Sequence, residues 1–268
     1  MNGAVPHPIL TDTPCCIKID KLTVKYDETL ALNGISAEIP SNRVTVLIGP
    51  SGCGKSTTLR SINGLVKLRQ DPTQLRREMG YAIQSVGLMP HMTVQENVAL
   101  VPRLLGWEKK KRYARAAELL SLVRLNPAEY LHKYPRELSG GEAQRVGVAR
   151  ALGVDPPVLL MDEPFGAVDP LNREILQDEF IRIQRQLKKT VVFVTHDLDE
   201  AIRLADYLII LRVGEIIQAD TPENILAHPG SEFVERFLGP DRALKRLTLF
   251  TADRYLTEAK TGSEIPGA

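Results

Sequence analysis

No stretch of this sequence approaches the roughly 18 uninterrupted apolar residues needed to span a bilayer as a helix. The strongest apolar run, Tyr207–Leu211, stops at Arg212 and reads as a buried strand. Cysteine is scarce: three in 268 residues, two of them adjacent at Cys15 and Cys16, which is neither a disulfide framework nor a zinc spacing. A reducing cytoplasm fits. Neither sign of charge is in excess, the formal net charge being +1, so no basic field points to nucleic acid as a partner. Residues 1–16 lack a basic segment followed by an apolar one, so no leader peptide is expected. Trp107 is the only tryptophan and other aromatics are few, so no cluster of aromatic rings is suggested. No motif recurs at a fixed period.

What is present is an alternation of strand and helix patterns. Residues 1–16, rich in Pro and Thr, read as a flexible arm. Ile17–Lys25 and Leu30–Ile39 read as strands, the second with alternating apolar positions at Leu30, Leu32 and Ile35. Val44–Ile48, Val158–Met161 and Thr190–Val194 are short β-branched or apolar runs, the profile of parallel strands buried on both faces. Met92 to about Leu125 turns helical, with capping-box spacing at Thr93 and Glu96 and a break at Gly106. Leu171–Leu187 is a further helix between two strands. This order predicts a parallel sheet with crossover connections.

Three motifs carry chemistry. Gly49-Pro50-Ser51-Gly52-Cys53-Gly54-Lys55-Ser56-Thr57 follows the Val44–Ile48 strand and precedes a helix-forming stretch. Its glycines let backbone N–H groups converge on phosphate oxygens, and the helix N-terminus adds a favourable dipole. Lys55 should reach the β- and γ-phosphates and the Ser56 hydroxyl should hold Mg²⁺. Cys53, among those amides and beside Lys55, is expected to favour its thiolate. The Val158–Met161 strand delivers Asp162 and Glu163 at its C-terminal end, the edge where open parallel sheets bind ligands. Asp162 suits a Mg²⁺ shell. Glu163, pointing to the opposite face, can polarise an attacking water. Leu138-Ser139-Gly140-Gly141-Glu142-Ala143-Gln144 starts a helix with Ser139 at the N-cap. Alone it is an ordinary capped helix start, though its two glycines could present N–H groups to an anion.

Together these motifs resemble an ABC transporter ATPase subunit, over 17–247. Gly49–Thr57 resembles the Walker A loop, Val158–Glu163 the Walker B strand and Leu138–Gln144 the ABC signature. Gln84 stands where the family has its Q-loop glutamine, a ligand of Mg²⁺ or the water. Gly166-Ala167-Val168-Asp169 resembles the D-loop, His196 the switch histidine and Tyr26 the aromatic residue that stacks on adenine. The resemblance implies an α/β P-loop fold with an N-terminal antiparallel subdomain, a helical insert near 88–150 and a tail at 248–268. It implies ATP and Mg²⁺, and catalytic roles for Glu163, His196, Lys55 and Gln84. It further implies a head-to-tail homodimer or paired ATPase subunit, in which the signature (Ser139, Gly140, Gly141) and Asp169 of one subunit meet the P-loop of the other. Transmembrane permease subunits at the cytoplasmic face of the membrane, and through them an extracytoplasmic substrate-binding protein, complete the implied assembly.

Gly87–Val98, Thr221–Leu226 and Asp241–Lys245 resemble the ATPases of osmoprotectant importers for glycine betaine, choline and carnitine. Amino-acid importers share parts of these segments. Many such relatives continue into paired CBS domains, and this chain is expected to end before them. Only 29 positions separate Lys55 from Gln84, about a dozen fewer than the family pattern, enough to omit a short hairpin around Val66–Gln74. That shortening implies a smaller antiparallel sheet and weaker support for Tyr26. A non-transport ABC ATPase is the first rival reading, but the chain has neither two cassettes nor a long coiled-coil insert. A low-activity regulatory module is the second, and the complete catalytic set opposes it.

Overall fold

The computed structural model describes residues 15–64, 79–82, 87–166, 168–247 and 249. Gln84, Ala167, the Val66–Gln74 connection, most of the 1–16 arm and nearly all of the 248–268 tail lie outside the described residues. Five strands run parallel in one sheet with a sixth antiparallel at its edge, in the order β4-β5-β6-β3-β7-β8: Met79–Ala82, Val158–Asp162, Thr190–Val194, Val44–Ile48, Tyr207–Arg212 and Glu215–Asp220. A separate antiparallel hairpin pairs β1 (Cys15–Tyr26) with β2 (Thr29–Pro40). The strand therefore begins two residues inside the expected arm.

The three central strands β3, β5 and β6 are buried at every position. Period-two alternation sorts their side chains onto two cores. Val44, Val46, Ile48, Leu159, Met161, Val191 and Phe193 face one core, which helices cover. Leu47, Val158, Leu160, Val192 and Val194 face the other, with Leu59 and Ile62 of α1 (Lys55–Ile62). That second core also takes Ile19, Val24, Leu32, Ile35 and Ile39 from the β1–β2 hairpin. The hairpin carrying Tyr26 is thus packed into the same core as the phosphate-loop helix.

Leu30 departs from the expected alternation. Leu32 and Ile35 are buried, but Leu30 is 42% exposed. Leu32 pairs with Val24 and Ile35 with Leu22, so β2 spends three steps where β1 spends two. Gly34, at φ +62, sits in that interval. The extra residue is a bulge that resets which parity faces the core. A compensating irregularity lies at Lys21, at φ +47, whose N–H donates to Ser36 Oγ at 3.0 Å. At the hairpin tip a further register shift between Val24 and Lys25 leaves Leu30 outside.

The helical insert comprises α2 (Val94–Val98), α3 (Leu100–Leu104), α4 (Lys109–Leu122), α5 (Pro127–Tyr130) and α6 (Gly140–Ala151). The expected capping box at Thr93 and Glu96 is present, and Gly106, at φ +78, breaks the chain between α3 and α4. Beyond the insert run α7 (Pro170–Leu187), α8 (Leu198–Leu204), α9 (Pro222–Ala227) and α10 (Glu232–Leu238). Strand β8 was not legible as a strand. It follows a two-residue turn in which Val213 and Gly214 both have positive φ, the backbone of a tight hairpin. Among the described residues no helix is long and apolar enough to cross a membrane.

Candidate functional site

Strand order brings the site together. β6 lies between β3 and β5, so the ends that deliver Gly49, Glu163 and His196 are neighbours on the C-terminal edge. The loop after β3 is held by crowding. A Cβ on Gly49 would lie 2.1 Å from the Leu211 carbonyl oxygen and 2.8 Å from Cys53 Sγ. The Gly214 N–H donates to the Cys53 carbonyl at 3.0 Å and the Asn33 N–H to the Gly214 carbonyl at 2.9 Å, so the β7–β8 turn locks the loop to β2.

The helix that follows the loop, α1, has Gly54 at its N-cap in a left-handed conformation, no side-chain cap and no acid in its first turn. By contrast α2, α6, α8, α9 and α10 are all capped by a side chain. An uncapped N-terminus of this kind can receive an anion. Lys55 is buried there, its ammonium donating to the carbonyls of Gly49 at 2.8 Å and Pro50 at 3.0 Å.

The Ser56 hydroxyl donates to Asp162 Oδ1 at 2.9 Å. Burial pushes the Asp162 carboxyl above the usual carboxylate range, against the Ser56 hydrogen bond and the Arg60 charge. A buried acid paired with a hydroxyl is a donor set that fits a hard divalent cation. Glu163 stands at φ +45, a strained backbone for an L-residue. Its N–H donates to the Val194 carbonyl at 2.9 Å, and its Oε2 lies 3.1 Å from His196 Nδ1.

Cys53 corrects the thiolate expectation. It is 3% exposed, and burial raises its thiol above the ordinary range despite the neighbouring Lys55. Its packing against the hairpin core and the Gly49 turn was invisible in the sequence. Modification by a thiol reagent should therefore be slow at neutral pH and accelerate as pH rises past the ordinary thiol range, with Cys53→Ala removing that phase. A fast phase at neutral pH that Cys53→Ala abolishes would contradict the buried thiol.

Ser139 caps α6 reciprocally with Glu142, at 2.7 Å and 3.3 Å. The Tyr130 hydroxyl donates to Glu142 at 2.6 Å, and that bond, then the Ser139 N–H, lowers the Glu142 carboxyl. Ser139, Gly140 and Gly141 line one cavity with Val168 and Asp169, and no residue of the phosphate loop lines it. A Cβ on Gly140 would meet nothing within 4 Å, so crowding within the chain does not require that glycine. Tyr26 ends β1 and is 47% exposed. The structure thus joins Lys55, Ser56, Asp162, Glu163 and His196 on one edge, and Ser139–Gly141 with Asp169 elsewhere.

Sequence reasoning missed three residues of this edge. Arg60 lies four positions after Ser56 and bears on both Asp162 and Tyr81. Arg173 lies four after Asp169, and Glu200, buried and raised in pKa by that burial, lies four after His196. The i, i+4 spacing to a motif residue was the available signal.

The family model for ABC transporters matches residues 32–166. The glycine betaine/carnitine/choline transport ATP-binding protein of Bacillus subtilis is 53% identical over 228 residues, which cover 80% of this chain and 60% of that protein. The osmoprotectant import ATP-binding protein of Salmonella typhimurium is 48% identical, covering 93% of this chain and 70% of the relative. The chain thus spans less than two thirds of the first relative's length. The dimeric structure of a bacterial ABC transporter cassette superposes with a TM-score of 0.68 at 30% identity, over 76% of this chain and 98% of that one.

Proposed function

The chain belongs to the ABC transporter family, and from that premise we propose that it is the ATP-hydrolysing subunit of an importer for a small quaternary amine. The observation that carries the hydrolytic part is the juxtaposition of Ser56 with Asp162 at 2.9 Å and of Glu163 with His196 at 3.1 Å on one sheet edge. The names of the two relatives support the substrate class.

In this reading the uncapped end of α1 and the loop amides take the phosphates of ATP. Lys55 exchanges the carbonyls of Gly49 and Pro50 for phosphate oxygens, a stronger, charge-assisted set of acceptors. Ser56 and Asp162, with Gln84, would hold Mg²⁺, which would supply neutralisation of developing phosphoryl charge. Glu163 accepts a hydrogen bond from the attacking water and orients it in line. His196 keeps Glu163 in place and contacts the γ-phosphate. Tyr26 stacks on adenine.

Ser139, Gly140, Gly141 and Asp169 act on the second subunit of a homodimer, for Gly140 opens onto space that its own chain leaves free. The dimer sits beneath transmembrane permease subunits, peripheral to the membrane, and an extracytoplasmic binding protein delivers the solute to them. Uptake of labelled glycine betaine by the assembled transporter should depend on ATP and be competed by choline or carnitine. Import of an unrelated amino acid or oxyanion, with no competition by these amines, would overturn the substrate class.

A further inference from the structure

We propose that Arg173 is a positioning residue that ties the D-loop backbone to the switch histidine of the same subunit, so that Asp169 and His196 move together. The proposal rests on the hydrolytic reading above and deepens it. Arg173 stands in the first turn of α7, where its N–H donates to the Asp169 carbonyl at 2.9 Å. Its guanidinium then reaches in two directions. Nη2 donates to the Val168 carbonyl at 3.0 Å, and Nη1 lies 3.5 Å from Asp197 Oδ2. One side chain therefore bridges the loop after β5 and the loop after β6.

Asp197 is the chain neighbour of His196 and is itself firmly held. Its Oδ1 caps α8 by accepting from the N–H groups of Asp199 at 2.9 Å and Glu200 at 3.2 Å, and its own N–H donates to Thr195 Oγ1 at 3.0 Å. The bridge closes into a ring. Glu163 Oε2 meets His196 on one side, and the Glu163 carbonyl accepts from the Gly166 N–H at 3.1 Å on the other. Going round it passes Val168, Arg173, Asp197, His196 and Glu163, and returns to the D-loop.

Within that ring the Arg173 side chain alone spans from a backbone carbonyl of the loop after β5 to a carboxylate of the loop after β6 among the described residues. A planar guanidinium suits this task because its donors keep a fixed angle to one another. The Val168 contact is a full hydrogen bond, whereas the Asp197 contact is ionic and longer. A shift of 166–169 of a few tenths of an ångström therefore changes the pull on Asp197 directly. Asp169 lines the cavity of the signature glycines, so a second subunit seated there would bear on the position of His196 through Arg173.

The test is steady-state hydrolysis by the full chain with MgATP, wild type against Arg173→Met, Asp197→Asn and the pair. Misplacing a reacting group by a fraction of an ångström costs roughly tenfold or more in rate. Arg173→Met should therefore lower kcat about tenfold while the KM for ATP stays within about twofold. Asp197→Asn added to Arg173→Met should lower kcat by less than about twofold further, because both act through one link. Should Arg173→Met fail to fold, Arg173→Lys serves: it keeps the charge but reaches one acceptor, and kcat should fall about threefold at unchanged KM.

Three results would overturn the proposal: a kcat within twofold of wild type, a fall in kcat matched by an equal rise in KM, or fully multiplicative effects of the pair. A merely structural Arg173 would give the second or third. If the wild-type chain hydrolyses no ATP, the hydrolytic reading itself fails, and that outcome is distinct from all three.

Discussion

Glu163→Gln is expected to keep MgATP bound while lowering turnover at least about 100-fold, the lower end of what a positioned general base contributes. The amide preserves the shape and the backbone contact to Val194 but loses the charge that orients water. It also changes the pairing with His196: a carboxylate oxygen accepts from the ring, whereas the amide offers either an oxygen or a donor. The left-handed backbone at φ +45 is unaltered by the substitution, so the fold should hold and the melting temperature should change little. With binding intact and hydrolysis blocked, a nucleotide-bound dimer should accumulate and appear at twice the chain mass in gel filtration. Turnover by Glu163→Gln at the wild-type rate would show that the base lies elsewhere.

The second large effect is expected at Gly49. Alanine there sets a methyl 2.1 Å from the Leu211 carbonyl oxygen and 2.8 Å from Cys53 Sγ. Both obstacles are held in place, the first by the β-sheet and the second by the second core. The backbone is also at a positive φ that L-residues resist. Strain of this kind with a backbone clash costs about 3 kcal/mol or more. For a chain of this size that lowers the melting temperature by roughly 6–12 °C, and nucleotide affinity should fall beyond measurement because the loop cannot keep its shape. Gly52→Ala is the internal control. Its φ is also positive, but a Cβ there would meet nothing within 4 Å, so its loss should be smaller in both measurements. Melting of Gly49→Ala within about 1 °C of wild type, with unchanged affinity, would remove the claim that Leu211 and Cys53 define the loop.

Much of this site is legible in the amino-acid sequence. Fully buried strands announce themselves by continuous β-branched and apolar runs, so Val44–Ile48, Val158–Met161 and Thr190–Val194 were readable, and the residues at their C-terminal ends followed. The capping boxes at Thr93 and Ser139 were readable because both partners lie within one helical turn. What escaped depends on contacts between distant segments. Leu30 turns outward because of register shifts that only pairing reveals. Cys53 is neutralised by burial under a hairpin some twenty residues upstream in the chain. The packing of the Tyr26 hairpin runs through Leu32 and Ile35, which share a core with Leu47 and Leu59, a contact between distant segments that no local pattern announces. Arg173 and Glu200 belong to no motif, although each stands one helical turn beyond a motif residue.

In the proposed mechanism one chain supplies only half of each hydrolytic site: the phosphate loop, Asp162 and Glu163 lie on the sheet edge, and Ser139–Gly141 with Asp169 line a separate cavity. Phosphate release from MgATP, measured per chain across a wide range of protein concentration, tests this directly. Activity per chain should rise in proportion to concentration where monomers dominate and level off once dimers saturate, with Glu163→Gln silent throughout. Activity per chain that stays constant down to the lowest concentrations, with the protein monomeric by sedimentation, would contradict it.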